Sequence, residues 1–323
     1  MKFIAELCQN HNGDFNTLCH MVDAAAEGGA SHIKIQHIYS RNLVFRAQFE
    51  QGLKQDDIVK AIHRPWEPEF DRLKGLELSD KDCMRFVELV MSLGLTPMTT
   101  CFTRGDISRI KEQGFKTIKV ASYDCASFAM LKELSNNFDY LYVSTGATFD
   151  DEIKHASNIL TKYAKAFSFL HCVTQYPTPL DEMHLNRINW LKQFTNNVGF
   201  SDHSLVSRDG LIAAKAAIVC GANIIERHFT IKDPQETKDG PVSIDKEGIR
   251  ALINFASLTH EDQCKQLDEE NSGWRQMLGF SKRWLSDKEL LNRDYFRGRF
   301  ASPRREGSYL AAEMIFNWEE TPL

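Results

Sequence analysis

Two hydrophobic periods alternate along the chain. Leu18, Met21, Val22 and Ala25 follow the i, i+3, i+4, i+7 spacing of one helix face. That pattern stops at Glu27-Gly28-Gly29-Ala30, and the β-rich run His32-Ile33-Lys34-Ile35-Gln36 follows at once. The same joint recurs at Leu93-Gly94, Gln113-Gly114 and Cys220-Gly221, each before a short apolar run. Glycine just past a helix takes the left-handed conformation that ends it without a Cβ clash. Ser79 and Asp82 suit the start of a helix through Val87, Val90 and Met91. Met183, Ile188 and Leu191 share roughly one face of a later helix. Strand-like runs lie near residues 2–8, 32–37, 96–101, 117–121, 139–144, 167–172, 197–201 and 223–227. A helical pattern follows seven of these eight closely.

Eight βα units in about 260 residues predict an α/β fold, a closed (β/α)8 TIM barrel with a short C-terminal extension. An open doubly wound sheet is the alternative, but the phosphate fingerprints G-x-G-x-x-G and G-x-x-x-x-G-K-[ST] are both absent. The predicted division is a barrel domain over residues 1–261 and a C-terminal arm over 262–323. The arm loses the βα rhythm and is rich in charge and aromatics, among them Trp274, Trp284, Tyr295, Phe296 and Phe300. It is too short for a robust core of its own, so it is expected to pack on the barrel or on another subunit. Residues 39–77, with Arg64, Pro65, Trp66, Pro68 and Phe70, form a connection long enough for a lid or binding loop.

Composition narrows the function. With 42% hydrophobic residues among 323, the chain can bury one large core. A net charge of −5 gives no global field to attract nucleic acid or an anionic membrane, so an anionic ligand must be held by local cations. The eight cysteines show no C-x-x-C pair and no regular spacing. Several, including Cys8, Cys172 and Cys220, lie in apolar runs, where a free thiol behaves as a small hydrophobe. A reduced, cytoplasmic setting fits better than a disulfide framework. Met1-Lys2-Phe3-Ile4-Ala5-Glu6 meets an acidic residue too soon for a signal peptide, and no apolar stretch approaches a membrane span.

If the barrel forms, its C-terminal mouth collects the strand ends. His203 and His228 close two consecutive apolar runs joined by an Ala-rich helix, so parallel pairing brings them to one mouth. Imidazole is the commonest metal ligand, and the pair is a candidate divalent-metal site. Lys34 and Gln36 alternate on one strand and share a face. Lys34 and Lys119 point inward, which costs several kcal/mol, roughly, unless a partner is met. With Ser122, Ser144 and Ser201 nearby they form a donor set suited to phosphate or carboxylate. Each serine alone also fits a helix N-cap. His11 and His171 could contribute, but nothing in the sequence separates them from core roles.

These residues fall in motifs that resemble the sialic acid synthase family. The motifs are Ile4-Ala5-Glu6, Asn10-His11-Asn12-Gly13, Lys34-Ile35-Gln36, Lys119-Val120-Ala121-Ser122, Ser144-Thr145-Gly146, His171-Cys172 with Tyr176-Pro177-Thr178-Pro179, Gly199-Phe200-Ser201-Asp202-His203 and Glu226-Arg227-His228-Phe229-Thr230. The resemblance spans about residues 3–260, in order. It implies a barrel that condenses phosphoenolpyruvate (PEP) with an N-acylated amino sugar, using manganese or magnesium, to give a nine-carbon 2-keto-3-deoxy acid and phosphate. By position, His203 and His228 would hold the metal. Lys34, Thr100, Lys119, Ser122, Ser144, Thr174 and Ser201 would hold PEP. Gln36, Tyr176 and Asp239 would face the sugar, and Glu6 and Asp124 would serve catalysis.

The resemblance also implies an antifreeze-like C-terminal domain that reaches the partner of a homodimer and offers an arginine to the sugar. Here only its first part is expected, with Trp318 or Glu319 at the arginine position. Asn is usual at Thr174, Glu at Asp124, and Pro-Gly-Pro-Asp where this chain has Glu236-Thr237-Lys238-Asp239. Two other readings stand beside the synthase. One is a metal-dependent sugar aldolase or isomerase on the same barrel; the other is a non-catalytic binding or assembly subunit.

Overall fold

Eight parallel strands close into a barrel in the computed structural model, which describes residues 1–56 and 58–323. They are β1 (Lys2–Cys8), β2 (His32–His37), β3 (Thr96–Cys101), β4 (Thr117–Val120), β5 (Tyr140–Ser144), β6 (Phe167–His171), β7 (Val198–Asp202) and β8 (Ile224–His228). Each pairs with its neighbour in sequence, and β8 closes the ring against β1. The eight runs anticipated from sequence match these strands to within one residue at either end. The closed barrel excludes the open sheet.

Strand alternation sorts the side chains into two sets. Outward residues such as Ile33, Val120, Val143, Phe169 and Ile225 join the helical stripe of Leu18, Met21, Val22 and Ala25 in one core. Inward, Ile4, Met98, Tyr142, Leu170 and Ile224 form a separate apolar plug. Two residues farther along the same five strands or their extensions stand Glu6, Thr100, Ser144, Cys172 and Glu226. The barrel is thus floored by hydrocarbon, and the next layer toward the C-terminal mouth is polar. The helices end as anticipated: Gly29 and Gly114 adopt φ of 97° and 95°.

The expectation of a helix close behind every strand but the second fails after β6, and also after β8, whose next α-helix is Lys246–Ser257. An irregular segment leads from β6 to a short helix, Asn186–Leu191, and Met183 lies before its start. His171 explains the local order: its Nε2 meets the Met183 carbonyl at 2.7 Å and fixes the segment to the strand end. Residues 39–77, anticipated as an irregular lid, contain a hairpin of Leu53–Gln55 with Ile58–Ala61 and a helix, Trp66–Lys74. Trp66 stacks on Phe70 with centroids 4.7 Å apart and lies 4.9 Å from the ring of Tyr309. Val44 N–H donates to the Arg299 carbonyl at 2.9 Å, and Ala301 N–H to that of Asn42 at 3.0 Å. Lid and C-terminal arm are therefore one packed unit above the barrel mouth.

The expected boundary at residue 261 is not a packing boundary. The helix His260–Glu270 continues the barrel, with Leu267, Trp274 and Met277 inside the main core. The part that behaves as an arm starts later, with the helix Asp287–Phe296. Past that helix its strands are only Ser302–Pro303 and Met314–Ile315, paired antiparallel. The arm is tied to its own barrel. Asn292 Nδ2 donates to the Thr174 carbonyl at 2.8 Å, and Asn317 Nδ2 donates to the Phe102 carbonyl at 2.8 Å.

Candidate active site

At the C-terminal ends of the strands the barrel opens into a cavity of about 310 Å³. Of the fourteen site residues anticipated from sequence, twelve line it; Asp124 and Thr174 do not. At its base is an ion network. Lys34 Nζ pairs with Glu6, lies 3.3 Å from Glu226 and donates to Thr100 Oγ1 at 3.0 Å. Lys119 Nζ lies 3.4 Å from the other oxygen of Glu226. Register explains the convergence, because Glu6 is level with Lys34, Thr100 with Lys119, and Ser201 with Glu226. All four charged groups are buried, and their formal charges cancel. Burial pushes Lys34 down to about 8, against the pull of Glu226 and with the push of Lys119. Burial opposes the charge on Glu226, yet Lys119 and Lys34 hold its carboxyl below the usual range.

Ser144 Oγ is buried with no hydrogen-bond partner, while Ser122 Oγ and Thr174 Oγ1 lie 3.2 Å apart. Thr174 therefore stands one layer behind the wall, supporting Ser122. Tyr176 packs edge-on to His203 with centroids 4.5 Å apart. Gln36 accepts from Gln9 Nε2 at 3.1 Å.

The imidazoles of His203 and His228 meet at the mouth, 5.4 Å between centroids. The Nδ1 atoms of both are buried without partners. Burial holds both rings below the usual histidine range and therefore neutral, the form that ligates metal. A further donor set shares His228. The Cys8 sulfur, a His228 ring nitrogen and an Asp239 carboxylate oxygen lie within 4.8 Å of one another. Nitrogen, sulfur and oxygen donors around unpartnered imidazoles fit a divalent ion. Sequence had treated Cys8 as a small hydrophobe. Cys8 stands two residues beyond Glu6 on β1 and shares its inward face, where a register slip and a φ of +42° at Cys8 end the regular strand. Irregularities of this kind terminate strand pairing beside active sites.

A second layer holds these groups. Fully buried Arg227, on the opposite face of β8 from Glu226 and His228, pairs with Asp202 and donates to Ser204 Oγ at 2.7 Å. The two residues flanking His203 are thereby clamped. Asn10 Nδ2 donates to Ser243 Oγ at 3.0 Å, and Ser243 Oγ donates to the Asp239 carbonyl at 2.7 Å. His11 accepts from Gly13 N–H at 3.0 Å, a loop role, and His171 is held in the core as described above.

Asp124 does not meet the expectation of a catalytic group. It is buried behind the wall, accepting from Ser127 Oγ at 2.8 Å and Asn317 Nδ2 at 3.0 Å. Its carboxyl is pushed up to about 6 by burial, against those two hydrogen bonds. It clasps the arm to the barrel. Neither Trp318 nor Glu319 lines the cavity; the arm instead contributes Arg299 and Phe296. Arg64, Arg72 and Lys238 line the same outer rim. Sequence named Arg64 within a candidate lid or binding loop but assigned none of the four cations to the site, because their placement depends on how lid and arm pack.

The match to known proteins agrees with this arrangement. A family model described as NeuB family matches residues 21–265. The chain is 28% identical over 257 residues to the N,N'-diacetyllegionaminic acid synthase of Campylobacter jejuni, covering 77% of this chain and 73% of that one. It is 27% identical over 301 residues to a pseudaminic acid synthase of Campylobacter jejuni, covering 93% of this chain and 81% of that one. The crystal structure of a sialic acid synthetase from Leptospira borgpetersenii in complex with citrate superposes with a TM-score of 0.66 at 24% identity, covering 91% of this chain and 90% of that one. The fold, the polar layer at the strand ends and these matches agree: the chain belongs to the NeuB family and is an enzyme of the sialic acid synthase type.

Proposed function

We propose that the enzyme condenses PEP with the open-chain form of an N-acylated amino sugar, releasing phosphate and a nine-carbon 2-keto-3-deoxy acid. One observation carries this reading. Two buried lysines with their glutamate partners, three serines and two neutral histidines from separate strands line one cavity. An isomerase would not need so many anion donors.

Lys34 and Lys119 supply point charge to the phosphate and carboxylate of PEP, and Ser122, Ser144 and Ser201 supply directed hydrogen bonds. Before substrate arrives, Glu6 and Glu226 keep both ammonium groups in place and compensated. Gln36, Tyr176 and Asp239 face the acceptor, which fits their position on the outer wall. The new C–C bond joins PEP C3 to the acceptor's carbonyl carbon. Water then adds to C2, and the C2–O bond breaks to release inorganic phosphate. Glu6, at the base of the cavity, accepts the proton from that water, and the acceptor oxygen ends protonated as a hydroxyl. Holding both reactants in line accounts for much of the acceleration. His203 and His228, with Cys8 and Asp239 beside them, would hold a divalent ion. When bound, that ion supplies Lewis-acid polarisation of the acceptor carbonyl. A cytoplasmic location belongs to the same reading; among the described residues no helix is long and apolar enough to cross a membrane.

The test is acceptor-dependent release of phosphate from PEP by manganese-loaded protein, with PEP binding measured separately by titration calorimetry. Lys119→Ala should weaken PEP binding by at least about tenfold, in keeping with a lost charge-assisted contact. Absence of PEP binding by the metal-loaded protein, or undiminished turnover in Lys119→Ala, would refute the reading.

A further inference from the structure

The outer rim carries more positive charge than its own carboxylates neutralise. Glu69, on the helix Trp66–Lys74, is shared by three cations. Arg72 holds it in a fork at 2.8 and 2.9 Å, Arg299 pairs with it, and Lys238 Nζ lies 3.9 Å away. Burial opposes its charge, yet those cations hold Glu69 down at about 2, so it is fully ionised. Arg64, the fourth cation, forms no ion pair among the described residues and lies over the rings of Tyr295 and Phe296 at 5.2 and 5.7 Å. Asp239, the other carboxylate here, belongs to the Cys8 and His228 donor set. Arg64, Arg72, Lys238 and Arg299 thus face Glu69 and Asp239, with Glu50 and Arg46 adjoining Arg64 and Arg299; the cations outnumber the carboxylates, and Asp239 has another claim.

Arg299 is the most telling member. Its side chain is only 9% exposed, and its Nε is buried with no acceptor. A buried guanidinium with an unused donor and a share in one carboxylate is costly unless a ligand completes it. The rim is also wired to the acceptor wall. Arg72 donates to Gln9 Oε1 at 2.7 Å, and Gln9 in turn donates to Gln36. The inner lysines cannot serve this rim, because Glu6, Glu226 and Thr100 occupy them at the barrel floor.

On the reading given under Proposed function, we propose that the acceptor sugar carries an anionic group, a phosphate monoester or a carboxylate, at the end remote from its carbonyl carbon, and that Arg64, Arg72, Lys238 and Arg299 bind it. Guanidinium forks match the planar oxygen pairs of either group. The lid supplies Arg64 and Arg72, the loop after β8 supplies Lys238, and the arm supplies Arg299. Acceptor binding therefore draws three separately positioned segments onto one charge. Because Arg299 comes from the chain's own arm, this subsite is complete within one protomer.

The experiment compares three acceptors with manganese-loaded enzyme and saturating PEP: a neutral N-acetylated hexosamine, its terminal phosphate ester, and its terminal carboxylate counterpart. The expected result is a kcat/KM at least tenfold higher for one or both anionic acceptors, and their ranking identifies which anion is taken. Arg64→Ala and Arg299→Ala should each lower the ratio of anionic to neutral kcat/KM by about tenfold, acting on KM. Arg299→Lys should restore part of it, and the anionic KM should rise with salt. The same ratio in wild type and variants, or a preference for the neutral sugar, overturns the proposal. Should no acceptor turn over, calorimetric binding of each sugar to the PEP-saturated enzyme decides: no preference for an anionic sugar overturns it. Loss of PEP binding in Arg64→Ala or Arg299→Ala also overturns it, by assigning the rim to PEP. Failure of wild-type PEP binding would instead sink the underlying synthase reading, so the two failures are distinct.

Discussion

Glu226→Gln tests how the barrel tolerates two buried ammonium groups. The variant keeps shape and removes one charge. Glu226 lies 3.3 Å from Lys34 and 3.4 Å from Lys119. At an effective dielectric constant of ~20 each attraction is about 5 kcal/mol, and desolvation of the three ions offsets much of the sum. Breaking such a buried arrangement typically costs about 3–5 kcal/mol. Lys34 offers partial relief. Its pKa is already down at about 8, so releasing its proton at pH 7 costs only about 1 kcal/mol. The expected loss at pH 7 is therefore near the lower end, about 3 kcal/mol. The same group fixes the pH dependence. In the folded protein Lys34 titrates at about 8, below its usual 10.5 when unfolded, so the folded state binds fewer protons between those values. Stability from this group rises with pH across that window. Without Glu226 the folded pKa falls further, the rise begins at lower pH, and the deficit of the variant should shrink between pH 6 and 9. Urea unfolding followed by tryptophan fluorescence at several pH values measures it. A deficit under about 1 kcal/mol at pH 6, or one that does not change with pH, would refute this account of the network.

Three further outcomes are expected. Asp124 titrates at about 6 when folded, above its ordinary 3.8, so its stabilising contribution is lost as pH rises through that interval; Asp124→Asn should be more stable than wild type at pH 7.5 by up to about 3 kcal/mol and equal to it below pH ~4, and a destabilised variant at pH 7.5 in thermal denaturation would contradict the burial argument. Gly199→Ala places a Cβ 2.5 Å from both the Ile224 carbonyl and Leu170 Cδ2 between neighbouring barrel strands, which should cost about 3 kcal/mol or more in urea unfolding; an unchanged midpoint would show that the barrel wall yields. Cobalt-loaded wild type should show a thiolate-to-metal charge-transfer absorption that Cys8→Ser lacks, with affinity lower by at least about tenfold in the variant; identical spectra would exclude Cys8 from the metal.

Much of the architecture follows from local pattern. The switch between the 3.6 and 2.0 periods locates all eight strands, and glycines mark where helices such as Phe15–Gly28 must stop. Alternation along β2 already puts Lys34 and Gln36 on one face, and the parallel connection of β7 and β8 already brings His203 and His228 to one mouth. These inferences hold because strand direction and side-chain alternation are backbone properties, set within a few residues. Glu226 was visible at its strand end, but that it compensates both lysines depends on register around the closed ring. Cys8 looks like part of an apolar run, and only the folding of the loop after β8 brings Asp239 beside its sulfur. Asp124 shares motif position with cavity residues, yet the arm's Asn317 takes its carboxylate. The cationic rim lies farthest from sequence, since Arg64, Arg72, Lys238 and Arg299 come from three segments with no common period. Sequence alone determined the barrel and its polar mouth, because those rest on short-range backbone geometry, and its ordered motifs carried the resemblance to the family. Which charges meet, and which side chains the lid and arm add above the mouth, was decided by tertiary packing, because burial and pairing of ions depend on atoms far apart in the chain.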